Sequence, residues 1–219
     1  RRVSLAQLQD NDLSGYTIRF APPTEPAKYA AIWQGLSECI ANARKANKWY
    51  SIIPMSGGPI NATSIAAYDA IDDEIARRWL SDPLFAAYHV TGVTQGASEE
   101  LHWKGGMSAA NEAWMIHRME HARQAMGPDM TLIVAIGQGD DAAMRRFASA
   151  AKRIGGPWIF KNNNLKAFQP GNNTMATWPN ASHNRLLVDI CKDPAIGIGE
   201  EMVNLAKVTN STGSANIND

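Results

Sequence analysis

Two pairs of adjacent glutamates stand out by type and spacing. Glu99-Glu100 lies in "HVTGVTQGASEELHW" (89–103) and Glu200-Glu201 in "AIGIGEEM" (195–202). Each follows an apolar run. Glu100 and Glu200 are 100 residues apart, close to the roughly 94 that three strand–helix units of ~31 residues would span. Two carboxylates facing one another can cleave a glycosidic bond: one protonates the leaving oxygen, and the other attacks the sugar or activates water. Groups suited to holding a sugar accompany them. Amides and carboxylates bond hydroxyls, and a Trp face stacks on a pyranose ring. His102 and Trp103 follow the first pair, Asn61 and Asn162 fall just after apolar runs, Trp178 lies in a polar stretch, and Arg19 is a charge inside an apolar run. Plainer readings stand beside these. Acids suit the first turn of a helix, Asn162-Asn163-Asn164 suits a turn, and both His102 and His89 suit a hydrogen-bonded structural role.

The elements that must position these groups alternate. Short apolar runs at 16–21, 49–58, 84–93, 130–137, 157–162 and 195–199 predict strands. Between them, apolar residues recur at steps of three and four over 27–46, 64–80, 109–126, 140–154 and 181–192, predicting helices. Trp33 and Trp114 fall on apolar helix faces and predict packing. Asp140 or Asp141 is a suitable N-cap for the fourth helix, and Gly155-Gly156 its stop. Strands apolar on both faces, separated by helices, predict a parallel α/β sheet.

Two architectures fit: an open doubly wound sheet, or a (β/α)8 barrel, partial or truncated. A nucleotide-binding open sheet carries a Gly-rich turn after its first strand; here that strand meets Pro22-Pro23, and no GxGxxG or GxxxxGK[ST] occurs. The barrel is therefore preferred, over 1–204, with 205–219 a flexible tail or linker. A missing strand would lie before residue 1, within 55–64, or beyond 219. In a barrel the loops after the strands carry the chemistry, and those loops are polar and acidic, with Trp33, Trp103, Trp158 and Trp178 nearby.

Composition excludes other classes. With 21 basic and 21 acidic residues the formal net charge is zero, against a nucleic-acid partner, which needs a basic stripe. The Arg145, Arg146, Lys152 and Arg153 cluster reads as a solvated helix face. No apolar run reaches the ~20 residues that span a bilayer, so no membrane partner is expected. Cys39 and Cys191 read as separate thiols rather than a disulfide, and no metal-ligand spacing or cofactor motif is read. Asn61, Asn172, Asn180 and Asn210 open glycosylation sequons, meaningful in a secreted chain and also attainable by chance in an Asn-rich one. A start at Arg1-Arg2 suggests a processed or partial chain, with secreted or surface and virion-associated settings favoured.

The segment "TIRFAPPTEPAKYAAIWQGLSECIANARKANKWYSIIPMSGG", with "HVTGVTQGASEELHW" and "AIGIGEEM" after it, resembles the (β/α)8-barrel glycoside hydrolases whose acid/base glutamate follows strand four and whose nucleophile ends strand seven. The likeness spans about 180 residues. It implies hydrolysis of O-glycosidic bonds with retention, Glu100 as acid/base (Glu99 second) and Glu200 as nucleophile, an oligo- or polysaccharide substrate and no cofactor. Most of these enzymes carry Asn-Glu at the acid/base position; here Ser98-Glu99-Glu100 stands, while Asn111-Glu112 falls inside a helix pattern. That departure keeps open a barrel that binds carbohydrate without cleaving it, in a surface, fibre or virion assembly or as a homo-oligomer. A third class, aldolase or phosphate-ester chemistry, would want a strand-end lysine, for which Lys161 is the one candidate.

Overall fold

The computed structural model describes residues 5–9, 14–20, 29–54, 62–90, 108–136, 141–162, 189–190, 192–194 and 196–200. Six strands, β1 (Gly15–Phe20), β2 (Trp49–Pro54), β3 (Phe85–Val90), β4 (Thr131–Ile136), β5 (Trp158–Asn162) and β6 (Ile196–Glu200), form one sheet. All neighbours pair in parallel, in the order β1-β2-β3-β4-β5-β6. Helices α1 (Leu5–Gln9), α2 (Tyr29–Lys45), α3 (Ala62–Trp79), α4 (Ala109–Met126) and α5 (Asp141–Ile154) alternate with the strands.

This order decides between the two architectures. A doubly wound sheet reverses its strand order at a switch point and carries helices on both faces. Here the order is sequential, and the helices touch one another in turn, which only helices on the same face can do. α1 packs on α2, α3 on α4 and α4 on α5, while Trp33 of α2 lies 6.2 Å from Trp79 of α3. The doubly wound alternative is therefore set aside. The chain is an α/β protein with the singly wound arrangement of a partial (β/α)8 barrel, β1 and β6 being its outer strands among the described residues. β2 pairs directly with β3, so no strand within 55–64 enters the sheet between them, against that placement of a missing one. Residues 201–219, including the expected tail, lie outside the described residues; of the helix expected at 181–192, Asp189, Ile190 and Lys192 are described, the first two helical and Lys192 already in a turn.

Strand alternation builds two unlike faces. On the helix side, Ile18, Ile52, Tyr88, Leu132, Trp158 and Ile196 align in register across all six strands; the last five are at most 5% exposed. α5 answers with Ala143, Met144, Phe147, Ala150 and Ala151, all buried at helical spacing. Each large apolar side chain so buried contributes about 1.5–3 kcal/mol. Trp158, expected near the functional rim, belongs instead to this core and opens its strand; its indole N–H donates to the Gly155 carbonyl at 3.0 Å. Trp33 and Trp114 pack as predicted: Trp33 against partly buried Phe20 and buried Trp79, and Trp114 edge-on to Tyr68.

Local signals hold where the chain turns. Ser108 caps α4 by accepting from the Asn111 N–H at 3.1 Å, and α5 begins at Asp141. After α5 the chain turns through Gly155 and Gly156, at φ 83° and 77°. The two glycines differ in surroundings. A Cβ on Gly155 meets nothing within 4 Å, whereas one on Gly156 meets the Pro128 carbonyl oxygen at 2.7 Å and Arg123 Cζ at 2.6 Å. Arg123 cannot readily yield, since it donates to the carbonyls of Gly127, Met130 and Pro157 at 2.6–2.9 Å. Gly155→Ala is expected to lose about 1–2 kcal/mol for its φ alone. Gly156→Ala adds displacement of a buried hydrogen-bonded arginine, for about 2–4 kcal/mol in all. Urea unfolding of both variants measures the difference.

On the solvent side of α3, Glu74 accepts from Arg77 and Arg78 at 2.5–2.7 Å. The Arg77 hydrogen bond, with help from Arg78, lowers its carboxyl from 4.5 to about 2. A folded value below the unfolded one means the contribution is full above pH 4.5 and disappears as pH falls toward 2. Stability measured at about pH 5 and about pH 3 is expected to fall less in Glu74→Gln than in wild type. The basic face of α5 is solvated as expected, with Arg146 on Glu112 at 2.6 Å and Arg153 on Glu120 at 2.9 Å.

Candidate active site

Parallel strands in a singly wound sheet all end on one side, so the segments after Phe20, Pro54, Val90, Ile136, Asn162 and Glu200 leave the same edge. Glu200 is the last residue of β6 and pairs in register with Asn162, the last of β5. Two of the expected site residues thus meet at adjacent strand ends. Glu99, Glu100, His102 and Trp103 belong to 91–107, after β3; they, Asn61 and Trp178 lie outside the described residues. In strand order the segment holding Glu100 and the strand ending in Glu200 are three apart.

The helix-free face of the sheet carries a row of polar groups among the described residues. Thr17, Ser51 and His89 form a polar chain across β1, β2 and β3. Ser51 Oγ lies 3.0 Å from Thr17 Oγ1 and 3.2 Å from His89 Nε2. Arg19 follows Thr17 by two residues and so shares this face, exposed and in register with fully buried Ile53. His89 is 4% exposed. Ile133 and Ile159 continue its row on β4 and β5. The inner face is therefore apolar toward β4 and β5 and hydrogen-bonding toward β1 to β3.

A serine beside a histidine invites comparison with a nucleophile and its base. Two proton arrangements satisfy the row: Ser51 donates to Thr17 and Nε2 donates to Ser51, or Thr17 donates to Ser51 and Ser51 donates to Nε2. The row is complete as a structural hydrogen-bond chain in either arrangement. What the row offers is a floor of hydroxyl and imidazole groups beneath the strand ends.

Sequence reasoning weighed His89 as structural and passed over Thr17 and Ser51. The signal was present but small: Thr17, Ser51 and His89 each interrupt an apolar run, and the sheet register sets Thr17 beside Ser51.

Among the described residues one group has ligand atoms close enough for a metal ion: Asp69, Asp72 and His121, within 4.8 Å of one another. It lies in the helix layer, on α3 and α4, rather than at the strand ends.

No protein-family model matches this sequence, and no curated protein matches it. Among solved structures, the chain is similar to the catalytic domain of the Thermobifida fusca endoglucanase Cel5A. The identity is 11%, 97% of this chain and 81% of that one are covered, and the TM-score is 0.47. At that score no residue role is carried across from it.

Proposed function

We propose that this protein acts on carbohydrate as a retaining glycoside hydrolase, with Glu100 as acid/base and Glu200 as nucleophile. The observation that carries the reading is the sequential strand order: Glu200 closes β6, and the segment holding Glu100 leaves the same edge three strands away. Along a flat sheet three strand spacings are about 14 Å. Curling toward a barrel shortens that distance and turns the two strand ends toward each other. Retention requires the two carboxyl groups to come within ~5 Å of each other, whereas ~6.5–9.5 Å belongs to inversion.

The polar row of Thr17, Ser51 and His89, with Arg19 on the same face, supports a hydroxyl-rich ligand above it. Asn61, Glu99, His102, Trp103, Asn162 and Trp178 are proposed as the sugar-binding groups. The test is hydrolysis of a panel of aryl glycosides and polysaccharides, with the anomer of the first-formed product followed by NMR. A retained anomer is expected. Inversion would replace Glu200's role with that of a general base, and a chain that neither cleaves nor retains oligosaccharides on an affinity gel would end the sugar reading.

A second reading has its own observation. Ser98-Glu99-Glu100 stands where most such enzymes carry Asn-Glu, which favours a barrel that binds carbohydrate without turnover. Retention on the gel with no hydrolysis of any substrate would select it.

A further inference from the structure

The outer surface of α3 and α4 holds a constellation that the sugar chemistry does not use. His117 and His121 are four residues apart on α4, and Asp69 and Asp73 four apart on α3. The helices set these pairs against each other with one offset. His117 Nε2 meets Asp69 Oδ2 at 2.9 Å, and His121 Nε2 meets Asp73 Oδ1 at 3.1 Å. The two imidazoles are nearly parallel, at 21°, with centroids 6.1 Å apart.

We propose that Asp69, His117 and His121 form a binding site for a divalent transition-metal ion of the zinc class, independent of the function proposed above. Two histidines one helical turn apart present their nitrogens on one face, as zinc-binding helices do. Imidazole with carboxylate suits Zn2+, Co2+ or Ni2+ rather than Mg2+ or Ca2+, which take oxygen ligands. The cation takes the place now held by protons between imidazole and carboxylate. His117, with 45% of its side chain exposed, has room to swing onto an ion that Asp69 and His121 hold from beneath.

Supporting groups are already in place. Arg118 Nη1 lies 3.4 Å from Asp69 Oδ1 and orients that carboxylate, leaving Oδ2 to His117, while His121 Nε2 lies 3.2 Å from the Asp69 backbone carbonyl. Asp72 lies within ligand distance, but both of its oxygens are engaged by Arg118, and one also by Tyr88. It therefore serves to neutralise the guanidinium beneath the site. Asp69 and Asp72 contact Arg118 and Asp73 contacts His121, so the group holds three carboxylates to one guanidinium and carries excess negative charge when the histidines are neutral. A bound carboxylate oriented from behind in this way is the usual support for a metal ligand.

Co2+ titrated into the full chain tests this, through its visible d–d absorption and displacement of that band by Zn2+. One saturating ion per chain is expected. His121→Gln should weaken binding by about 10-fold or more, and His117→Gln with His121→Gln should remove the band. Asp69→Asn provides an independent variant should the double substitution fail to fold, and is expected to weaken Co2+ by about 10-fold or more as well. Absence of a d–d band in wild type would overturn the proposal. So would unchanged affinity in a folded His121→Gln or Asp69→Asn chain.

Discussion

Replacing Asp72 with alanine is expected to remove about 3–5 kcal/mol of stability, a large share of the 5–15 kcal/mol available to a domain of this kind. Asp72 and Arg118 are both fully buried, and Arg118 donates to it through both Nη atoms at 2.5 and 2.9 Å. The Tyr88 hydroxyl donates to the same carboxylate at 2.5 Å. Burial, reinforced by the Asp72 charge, raises the Tyr88 phenol well above its usual range, so it remains a neutral donor. For Arg118, burial alone would lower the pKa, but the Asp72 charge and hydrogen bonds prevail and raise it. The guanidinium therefore stays charged, and without Asp72 that charge is left buried beside the longer 3.4 Å contact to Asp69 and the face of the Tyr68 ring at 4.8 Å.

Urea unfolding followed by circular dichroism measures the effect, and its controls separate the causes. Tyr88→Phe should cost only about 1–2 kcal/mol, because it deletes one neutral donor and leaves the ion pair. Asp72→Leu combined with Arg118→Leu should lose less than Asp72→Ala, because neither charge is left alone in the core. A single substitution that costs under about 1 kcal/mol would mean that Arg118 reaches water when its partner is gone.

Glu100→Gln and Glu200→Gln are expected to lose activity in different ways. An acid/base residue contributes about 10²–10⁴-fold, but only where the leaving group needs a proton. Glu100→Gln should therefore abolish polysaccharide cleavage while sparing much of the first step on aryl glycosides with acidic phenols. The nucleophile is needed whatever the leaving group, so Glu200→Gln should be inactive on both substrate types. Glu99→Gln should change rates by less than about 10-fold if Glu100 is the acid. The same split appearing in Glu99→Gln would move the assignment by one residue. Steady-state rates on a paired polysaccharide and activated aryl glycoside decide among these, and full activity in all three variants would remove the two-carboxylate mechanism.

Much of the fold was legible along the chain because each element carries its own period. "MTLIVAIG" predicts a buried strand over 130–137, and β4 is Thr131–Ile136; the pattern at 109–126 is α4, residue for residue. Gly155-Gly156 ends α5 because the chain there needs positive φ, a local requirement that a sequence displays. α1 had no such signal, being a five-residue helix whose Leu8 is buried.

The candidate site was legible only in part. Glu200 and Asn162 could be placed at strand ends because strand ends can be counted, and the structure pairs the two in register. Thr17 and Ser51 were missed because a single hydroxyl in an apolar run has no meaning until register sets it beside another. Trp158 was placed with the rim from its type and neighbourhood, yet the alternation of β5 turns it into the helix-facing core.

What the sequence determined by itself is therefore local: which stretches are strands and helices, where they begin and stop, and which residue types follow each strand. Those properties depend on backbone preference and on the spacing of apolar groups within a few residues. Tertiary structure alone decided the strand order, hence a singly wound sheet, and the partners across elements. It set Asp69 beside His117 and Asp72 beside Arg118, 48 and 46 residues away. Such contacts arise from the packing of α3 against α4, and no short-range periodicity encodes which turns of two distant helices will meet.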